Sequence, residues 1–507
     1  MRIVKGRLTP VCLSEFKYGG ILMKNYIAID IGASSGRLLH AQLYGEQLAL
    51  KEIHRFANSF HHRHGHDYWD VDHIFAEIVK GLQKAKRLGI ESCYLGLDTW
   101  AVDYVLLDQK GDRLEEVYAY RDKRTEGAPE KFHAKISREE VYARTGIQEL
   151  PFNTLYQLYV HDRNQLCEAD KIMLVPDYLY YRLSGRKVNE VTNASTMQML
   201  NLRTREFDEE LLKLLSLRRD QFSELIEPGQ SLGMIRPELA RQYDLPLCEL
   251  VVVPTHDTAS AVVSIPVQEG QSWAYISSGT WSLLGAEVAE PINHRAAMEA
   301  NYTNEWGAFG TYRFLKNIMG LWMIQEVRRE SDNAYSFSEL AELAAAEIPF
   351  LSLIPCNDSR FLNPKSMIAE IQSFCKETRQ PVPLQMGEIT RCVFDSLALT
   401  YFDALRELEG LLGRAVEVLH IVGGGSNNEL LCQLTANVIG KTVQAGPSEA
   451  TALGNIAVQM ISSQEVESIR AARELITRSF SLKVFEPEPI CNLDQVLERW
   501  EKLVSHS

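Results

Sequence analysis

Three stretches of the sequence place small residues directly after an apolar run. The first, "YIAIDIGASSGR", carries Asp30, a turn at residues 32–36 and then Arg37. Backbone N–H groups of such a turn can face one anion together, because no bulky side chain holds a phosphate away. The other two are "WAYISSGTWSLLG" and "VLHIVGGGSNN". A single turn of this kind is equally an ordinary tight hairpin, but three of them favour a nucleotide held between two lobes.

The acid before the first turn is a candidate metal ligand. Asp30 stands near the end of its apolar run, and a carboxylate there could orient Mg²⁺ through water beside the phosphates of a nucleotide. Aspartate also caps turns with its own side chain. The spacing leaves both interpretations open.

A second acid, Asp257, stands in "VVVPTHDTASAVV". Residues 249–254 predict a strand and Thr258 predicts the start of a helix, so Asp257 is first of all a candidate N-cap. Ligands of α/β proteins bind at the carboxyl ends of strands, where a carboxylate can accept the proton of a hydroxyl that attacks a phosphoryl group. The helix N-terminus is expected to lower the pKa of this acid, but alignment outweighs basicity in a loose phosphoryl-transfer transition state.

Two neighbouring stretches could bind a polar ligand. His256 adjoins Asp257 and is typical of a sugar contact or of a hydrogen-bonded loop residue. In "LDTWAVD", Trp100 and Asp103 could hold a sugar by stacking and hydrogen bonding, the alternative being a core tryptophan and a loop cap. The four histidines within residues 61–66 lack a matching set of carboxylates or cysteines, which argues against zinc.

Several other functions are excluded. "VIGKT" contains G-K-T, but Thr435 stands where the P-loop needs a glycine, and Asn428 occupies the third glycine position of a Rossmann fingerprint. A formal net charge of −14 argues against a nucleic-acid partner. The sequence has no apolar run of about eighteen residues, so no membrane partner is predicted.

These motifs lie on alternating strands and helices. Strands are predicted at residues 26–31, 38–43, 54–60 and 93–97. Helices are predicted at residues 71–86, through most of 138–217, and at 312–329, 336–346 and 384–412. The hairpins around Gly32 and Gly279 lie about half the chain apart, which indicates one unit used twice in an α/β architecture.

The N-terminal segment and the cysteines give two further expectations. Residues 1–22 lack the apolar core of a secretory signal, and Met23 stands just before the first strand. We expect Met23 to be the natural start and residues 1–22 to be a non-native or disordered leader. The nine dispersed cysteines contain no C-x-x-C pair, which is typical of reduced thiols in a cytoplasmic protein. No pattern predicts an oligomeric state.

Nine short motifs, in order along nearly the whole chain, make it similar to the FGGY family of carbohydrate kinases, and within it to the rhamnulokinase group. They are "GASSGR", "LDTWAVDYVLLD", "ELPFNTLYQLY", "VPDYLYYRLSG", "THDTASAV", "SSGTWSLLG", "KNIMGLWMIQ", "HIVGGGSNN" and "EATALGNIAVQ". The resemblance implies two actin-like, ribonuclease H-like ATPase domains around a central cleft, at residues 23–266 and 267–485, with a tail helix within 486–507. It also implies ATP-dependent phosphorylation of L-rhamnulose at its 1-hydroxyl, with Mg²⁺.

The resemblance implies roles for single residues, with Asp257 as the general base. The implied ATP-binding residues are Ala33, Ser34, Ser35, Gly36, Arg37, Thr280, Gln325 and Gly424. The implied sugar-binding residues are Ala101, His256, Asp257, Thr258 and Asn317. Asn317 and Gln325 would share one face of the helix predicted at 312–329, because residues eight apart lie within about 80° of each other.

The chain departs from the group at Ala101, where rhamnulokinases usually carry a glycine that contacts the sugar. Alanine is tolerated if φ is negative there, but a positive φ, or a sugar packed against the extra methyl group, would change the pocket. A kinase for another ketose, such as L-fuculose or xylulose, is therefore the alternative. An actin-like ATPase without sugar transfer is a further alternative, which would share the glycine hairpins but would not need a hydroxyl-binding "THDT" sequence.

Overall fold

A computed structural model describes residues 17–18, 21–268 and 270–505. Of the leader predicted at residues 1–22, only two short strands fall within this range, and the remainder lies outside the described residues. Within the described part of the chain, no helix is both long enough and apolar enough to cross a membrane.

The first half of the chain mixes strands and short helices. Its strands are β1 Lys17–Tyr18, β2 Ile21–Leu22, β3 Tyr26–Ile31, β4 Ser35–Tyr44, β5 Gln47–Ala57, β6 Phe60–Arg63, β7 His66–Trp69, β8 Ser92–Thr99, β9 Tyr104–Leu107, β10 Val117–Tyr118, β11 Lys171–Leu174, β12 Val188–Glu190, β13 Glu224–Ile226, β14 Ser231–Met234 and β15 Leu247–Val251. Its helices are α1 Val71–Arg87, α2 Ala128–His133, α3 Arg138–Thr145, α4 Thr154–Val160, α5 Arg163–Glu168, α6 Val175–Ser184, α7 Val191–Ser195, α8 Glu209–Leu214, α9 Pro237–Tyr243 and α10 Asp257–Val263.

The second half has fewer strands and longer helices. Its strands are β16 Trp273–Ser278, β17 Trp281–Val288, β18 Thr303–Trp306, β19 Tyr312–Met319, β20 Val418–Val422, β21 Thr442–Ala445 and β22 Lys483–Phe485. Its helices are α11 Arg295–Glu299, α12 Trp322–Glu330, α13 Phe337–Ala345, α14 Met367–Glu377, α15 Met386–Leu412, α16 Glu429–Ile439, α17 Ala450–Ser462, α18 Ile469–Ser479 and α19 Leu493–Val504.

Two large sheets repeat one topology. In the first, β3 pairs antiparallel with β4, β4 with β5, and β3 in parallel with β8. In the second, β16 pairs antiparallel with β17, β17 with β19, and β16 in parallel with β20. All six residues of β3 are buried, as expected for a strand covered on both faces. The α/β class and the unit used twice are confirmed.

Helices α10 and α17 join the two sheets. Gln459 of α17 donates from Nε2 to the carbonyl of Ile27 on β3, at 3.0 Å, so a helix of the second half packs on the first sheet. Val262 of α10 shares a buried cluster with Tyr275 of β16. At Gly454 of α17 an added Cβ would lie 1.7 Å from the carbonyl oxygen of a residue in α10. The lobes therefore meet through closely packed helix backbones.

The helix predicted at residues 312–329 is wrong in its first part. Residues Tyr312–Met319 form β19, which pairs with both β17 and β18, and α12 begins only at Trp322. Strand formation depends on neighbouring strands more than on intrinsic preference, so the local sequence could not reveal it. The helices predicted at 71–86, 336–346 and 384–412 are confirmed as α1, α13 and α15 within one or two residues at each end.

Candidate active site

A cleft between the two sheets has a cavity volume of about 390 Å³. Residues from both halves of the chain line it. Those that the sequence predicted are Asp30, Ala33, Ser34, Ser35, Arg37, Ala101, His256, Asp257, Thr258, Thr280, Asn317 and Gly424. The fold thus brings most of the predicted site residues into one cavity, although they are spread over most of the chain.

A backbone hydrogen bond from glycine closes the turn of each hairpin. The N–H of Gly32 donates to the Ser35 carbonyl at 2.9 Å, and the N–H of Gly279 donates to the Trp281 carbonyl at 2.8 Å. Asn58 supports the first turn, since its Nδ2 donates to the Gly32 carbonyl at 2.8 Å. Both turns line the cleft with small residues, which is the arrangement that anion binding by backbone amides requires.

The third turn requires glycine for two reasons. Gly423 has φ 81°, a left-handed conformation that favours glycine. An added Cβ at Gly423 would also lie 2.9 Å from the Ser278 carbonyl oxygen at the end of β16. Gly424, the next residue, lines the cleft, and a Cβ there would meet no atom within 4 Å. The close approach of this turn to β16 places Gly424 beside the second hairpin.

Gly36 does not line the cleft. It pairs with Ile31 within the hairpin, and an added Cβ would lie 2.1 Å from the ring of Phe56 on β5. Glycine is therefore needed here for packing against Phe56. The structure gives no direct support for Gly36 as a phosphate contact, whereas Ala33, Ser34 and Ser35 do line the cavity.

Each of the three elements that border this part of the cleft, β3, β8 and α10, carries an aspartate. Asp30 and Asp98 are register partners on adjacent parallel strands, and Asp257 begins α10. Asp98 is buried, and its Oδ2 accepts a hydrogen bond from Nδ2 of Asn455 at 2.5 Å. Burial and the charge of Asp30 raise the pKa of Asp98 well above its usual range. Asp98 is not among the residues predicted from the sequence, although "LGLDTW" repeats the apolar-run-then-acid pattern of "IAIDIG".

The pKa of Asp257 is raised, not lowered as the helix terminus alone would predict. Burial is the main cause; the charge of Asp30 adds to it, and His256 offsets part of the shift. Desolvation of the carboxylate therefore outweighs the helix dipole. A raised pKa makes Asp257 a stronger base.

The structure also corrects the cap of α10. His256 is the N-cap residue, and Asp257 occupies the first helical position. Asp257 accepts a hydrogen bond from the N–H of Thr258 at 2.6 Å through Oδ1. At the last residue of β8, the N–H of Thr99 donates to the Thr255 carbonyl at 2.9 Å. This hydrogen bond ties the segment before Asp257 to the end of β8.

Arg37 bridges the two halves of the chain. Its Nη2 lies 2.6 Å from Oδ2 of Asp30, and its Nη1 lies 2.5 Å from Oε2 of Glu449 at the start of α17. Arg37 lines the cavity and carries a permanent positive charge. It can therefore meet an anion in the cleft while compensating Asp30.

Ala101 has no left-handed backbone, but its neighbour does. Val102 has φ 67°, whereas Ala101 is not among the residues with positive φ. The backbone at position 101 therefore has the non-positive φ that alanine needs. A β-branched residue in this conformation is strained, and hydrogen bonding holds it there, since Thr154 donates from Oγ1 to the Val102 carbonyl at 2.6 Å.

Asp103 supports the cleft wall from behind. It is buried, it does not line the cavity, and it accepts hydrogen bonds from Nε1 of Trp69 at 2.6 Å and Nε1 of Trp100 at 2.9 Å. Burial raises the pKa of Asp103 to about 6. Trp100, Tyr120 and other apolar residues do line the cavity. Of the two residues suggested for sugar contact in "LDTWAVD", only Trp100 is in place for it.

Asn317 and Gln325 lie on different elements. Asn317 is on β19 opposite Leu283 and lines the main cleft, whereas Gln325 is on α12 and lines an adjoining cavity of about 660 Å³. Oγ1 of Thr280 donates to Oε1 of Gln325 at 3.3 Å. Gly424 lines both cavities. The shared helix face predicted for Asn317 and Gln325 is wrong. The two residues line different cavities, which is consistent with a sugar side that includes Asn317 and a nucleotide side that includes Gln325.

The sequence analysis also missed a buried ion pair beside His256. Nη2 of Arg313 on β19 lies 2.9 Å from Oε2 of Glu305 on β18, and these residues are direct cross-strand partners. Nη2 of Arg313 is 3.2 Å from Nδ1 of His256. Nε2 of His256 is 3.4 Å from Oδ1 of Asp257. The local sequence shows no signal for this pair, because the contact depends on the register between β18 and β19.

Glu190 is a second missed residue. It is buried, and its Oε2 accepts hydrogen bonds from the N–H of Thr255 at 2.9 Å and from its hydroxyl at 2.7 Å. Glu190 also caps α7, and Oγ of Ser195, at the other end of that helix, accepts from the N–H of Trp306 at 2.9 Å. This short helix therefore braces both the segment before His256 and the strand that carries Glu305.

The four histidines of residues 61–66 lie away from the cleft. His61 faces Glu116, His62 faces Asp67, and His66 faces Asp122. No group of three or more metal-ligating side chains occurs among the residues that the structure describes.

Two family models match most of the chain. The N-terminal domain of the FGGY family of carbohydrate kinases matches residues 25–264, and the C-terminal domain of the same family matches residues 274–463. The chain is 54% identical over 466 residues to a rhamnulokinase of Lactiplantibacillus plantarum, covering 92% of this chain and 95% of the relative. It is 52% identical over 466 residues to a rhamnulokinase of Bacillus subtilis, covering 92% and 96%.

Solved structures of low sequence identity share the fold. A gluconate kinase from Lactobacillus acidophilus matches with TM-score 0.77 and 16% identity over 95% of this chain and 96% of its own. A glycerol kinase from Plasmodium falciparum with ADP matches with TM-score 0.77 and 15% identity over 96% and 98%. The two-lobed, actin-like arrangement that the sequence predicts is confirmed by these neighbours.

Proposed function

Because the chain belongs to the FGGY family of carbohydrate kinases, we propose that it transfers the terminal phosphoryl group of ATP to L-rhamnulose, at the 1-hydroxyl. The observation that carries this proposal is the match to the rhamnulokinases described above, at more than half identity over almost their whole length. The cleft agrees with it, since glycine turns and the half-buried carboxylate of Asp257 line one cavity. The cytoplasmic location predicted from the sequence stays a prediction.

We propose that Asp257 is the general base. Its carboxylate stands in the cleft at the first turn of α10, and its raised pKa suits it to accept the proton of the attacking hydroxyl. His256, Thr258 and Asn317 line the same cavity and carry the donors and acceptors that a polyhydroxylated substrate needs. Trp100 supplies an apolar wall on the side of Ala101.

The ATP side is assigned to the glycine turns and the adjoining cavity. Ala33, Ser34, Ser35 and Arg37 would meet the phosphates, because they combine accessible backbone with a permanent cation. Thr280, Gln325 and Gly424 would meet the remainder of the nucleotide, since Gly424 lines both the cleft and the adjoining cavity of about 660 Å³. Two substrates bound in connected cavities can meet in line, with water excluded.

A magnesium ion suits the donor set at the first hairpin. Mg²⁺ is usually held by one or two carboxylates together with substrate phosphates. Asp30 lines the cleft next to the glycine turn, and Oδ1 of Asp98, its register partner, is buried without a hydrogen-bond partner among the described residues. We propose that Asp30 holds the ion through water. When bound, it supplies positive charge to the phosphoryl oxygens.

A panel of ketoses tests the proposed reaction. We expect Mg-ATP and L-rhamnulose to give ADP and a phosphorylated ketose with a higher kcat/KM than L-fuculose or xylulose gives. The measurement couples ADP release to mass detection of the sugar phosphate. A higher kcat/KM with another ketose would show that this ketose, not L-rhamnulose, is the preferred substrate. ADP release without any phosphorylated sugar would show that the protein is an ATPase and not a sugar kinase.

Substitutions at position 101 test whether the methyl group of Ala101 affects which sugar the pocket accepts. We expect Ala101→Gly to keep kcat/KM for L-rhamnulose within about fivefold, because φ at Ala101 is not positive and removal of the methyl group costs only backbone freedom. Ala101→Val should lower kcat/KM by at least about tenfold, since added methyl groups enter the cavity. Steady-state kinetics over the same panel measure both effects. A change in the order of preferred ketoses in Ala101→Gly would show that the methyl group selects the sugar.

A further inference from the structure

The buried environment of His256 is built by the other half of the chain. His256 precedes α10, whereas Glu305 and Arg313 belong to adjacent strands of the second sheet. The side chain of Arg313 is 0% exposed and that of Glu305 is 8% exposed. A fully buried guanidinium next to a cleft residue is costly unless its charge is balanced and its donors are used. The cost of burying the Arg313–Glu305 pair next to His256 therefore points to a role for the pair in the site.

The orientation of Arg313 is fixed by three contacts. Its Nε donates to the Trp306 carbonyl at 3.3 Å, and its Nη2 lies 2.9 Å from Oε2 of Glu305 and 3.2 Å from Nδ1 of His256. Trp306 is held in turn by Oγ of Ser195. The guanidinium can therefore not turn away from the imidazole without breaking contacts on both strands.

The contact at Nδ1 determines which ring nitrogen carries the proton. Arginine is always protonated and can only donate, so its hydrogen bond to Nδ1 needs the lone pair of that nitrogen. Oε2 of Glu305 is also 3.2 Å from Nδ1, but it makes no hydrogen bond with a described residue, and it acts there as a balancing charge. The proton of a neutral His256 then resides on Nε2, which faces Oδ1 of Asp257 at 3.4 Å.

We propose that Arg313 and Glu305 are positioning residues that fix the ring of His256 beside Asp257, with the proton of the neutral imidazole on Nε2. Arg313 donates to Nδ1 and so keeps the proton off that nitrogen, and Glu305 balances the charge of Arg313 so that the pair can be buried. The Nε2–H group then donates toward Asp257 and a bound hydroxyl, and leaves the carboxylate free to accept a proton. The inference rests on the proposed function only for the role given to Asp257.

The charged groups around His256 support this arrangement. Asp257 faces it from α10, Glu305 from β18 and Arg313 from β19. Asp30, on β3, acts on the same site, because its charge raises the pKa of Asp257 and of Asp98 on β8. Although burial alone would raise it, the pKa of Glu305 is lowered, chiefly by the charge of Arg313, so Glu305 remains ionised as the balancing charge.

The first test observes the ring directly and needs no turnover. Histidine labelled with ¹⁵N in the wild-type protein, with His256→Asn used for assignment, should show that the neutral ring of His256 has Nδ1 unprotonated and Nε2 protonated. A neutral ring that carries its proton on Nδ1 would overturn the proposal. Because the spectrum is recorded without substrate, it remains informative even if no ketose is phosphorylated, and that failure would concern the proposed function alone.

The second test changes the charge next to Nδ1. In Arg313→Gln, the buried Glu305 carboxylate is left without its cation and becomes the acceptor for a proton on Nδ1 of His256. Nε2 then no longer donates toward Asp257, and the pKa of Asp257 rises because its charged form has lost a hydrogen-bond donor. We expect kcat/KM for L-rhamnulose to fall by roughly 10²-fold at neutral pH, with its acidic limb moved up by about one pH unit. KM for ATP should stay within about twofold. Arg313→Lys keeps the charge and should restore the position of the limb.

A matched buried pair provides the control. Nε of Arg391 on α15 is 2.8 Å from Oδ1 of Asp395, and both residues are buried away from the cleft. Arg391→Gln should lower stability without moving the pH profile. The proposal fails if Arg313→Gln and Arg391→Gln leave the same profile as the wild type. If Arg313→Gln does not fold, the proposal is tested by the pH profile of Arg313→Lys and by the ¹⁵N spectrum of the wild-type protein.

Discussion

Replacing Asp257 by asparagine is expected to lower kcat by roughly 10²–10⁴-fold while ATP still binds. The amide has nearly the same shape but cannot accept the proton of the attacking hydroxyl. Because Asp257 lies apart from the glycine turns, at the start of α10, the nucleotide contacts should be unchanged. Single-turnover kinetics measure the first effect, and calorimetric titration with Mg-ATP measures the second.

The pH dependence of the wild type provides a second readout of the same carboxylate. Burial, with the charge of Asp30, raises the pKa of Asp257, so the active, deprotonated form is lost as the pH falls through that raised value. We expect the acidic limb of the kcat profile to vanish in Asp257→Asn. Asp395→Asn removes a buried carboxyl whose pKa is raised to about 6 by burial. Because Asp395 lies outside the cleft, this variant should retain turnover. Near-normal turnover in Asp257→Asn would remove Asp257 from the role of base.

The second large effect is expected at Gly454, where the lobes join. An added methyl group there would lie 1.7 Å from the carbonyl oxygen of Ser260 and 2.6 Å from its carbonyl carbon. Because these are backbone atoms of α10, the two helices must separate. Overpacking of this kind costs about 1–3 kcal/mol. Gly454→Ala should therefore lower the free energy of unfolding by about that amount, measured by chemical denaturation.

Function should be affected along with stability in Gly454→Ala. α10 begins at Asp257, so movement of this helix shifts the carboxylate relative to the turns that would hold ATP. We expect kcat to fall by about tenfold or more, since small misplacements of reacting groups are costly. The effect on KM for ATP should be smaller, because the glycine turns lie on other elements.

Gly410 provides the matched control, because it lies in the exposed face of helix α15 and an added Cβ would meet no atom within 4 Å. Gly410→Ala should raise the free energy of unfolding by about 0.8–1 kcal/mol through helix propensity, with kcat unchanged. Opposite signs of the two Gly→Ala effects would establish close helix contact as the cause. Equal effects at both positions would contradict it.

Much of the candidate site could be predicted from the sequence because its signals are local. Apolar runs ending in small residues gave the turns at Gly32, Gly279 and Gly423, and the same run-then-acid pattern pointed to Asp30 and Asp257. The nine family motifs added Thr280, Asn317 and Gln325. These patterns depend on backbone conformation and on short-range alternation, which a single stretch of chain displays without knowledge of its neighbours.

The sequence by itself therefore determined the α/β class, the repeated unit and a set of site residues most of which line the cleft. Only the tertiary structure decided that residues 312–319 form a strand, because their state depends on pairing with β17 and β18. It likewise decided that Glu305 and Arg313 enclose His256 and that Gly454 contacts α10. Such contacts join residues far apart in the chain, and burial, which sets the pKa of Asp257, exists only once both lobes are packed.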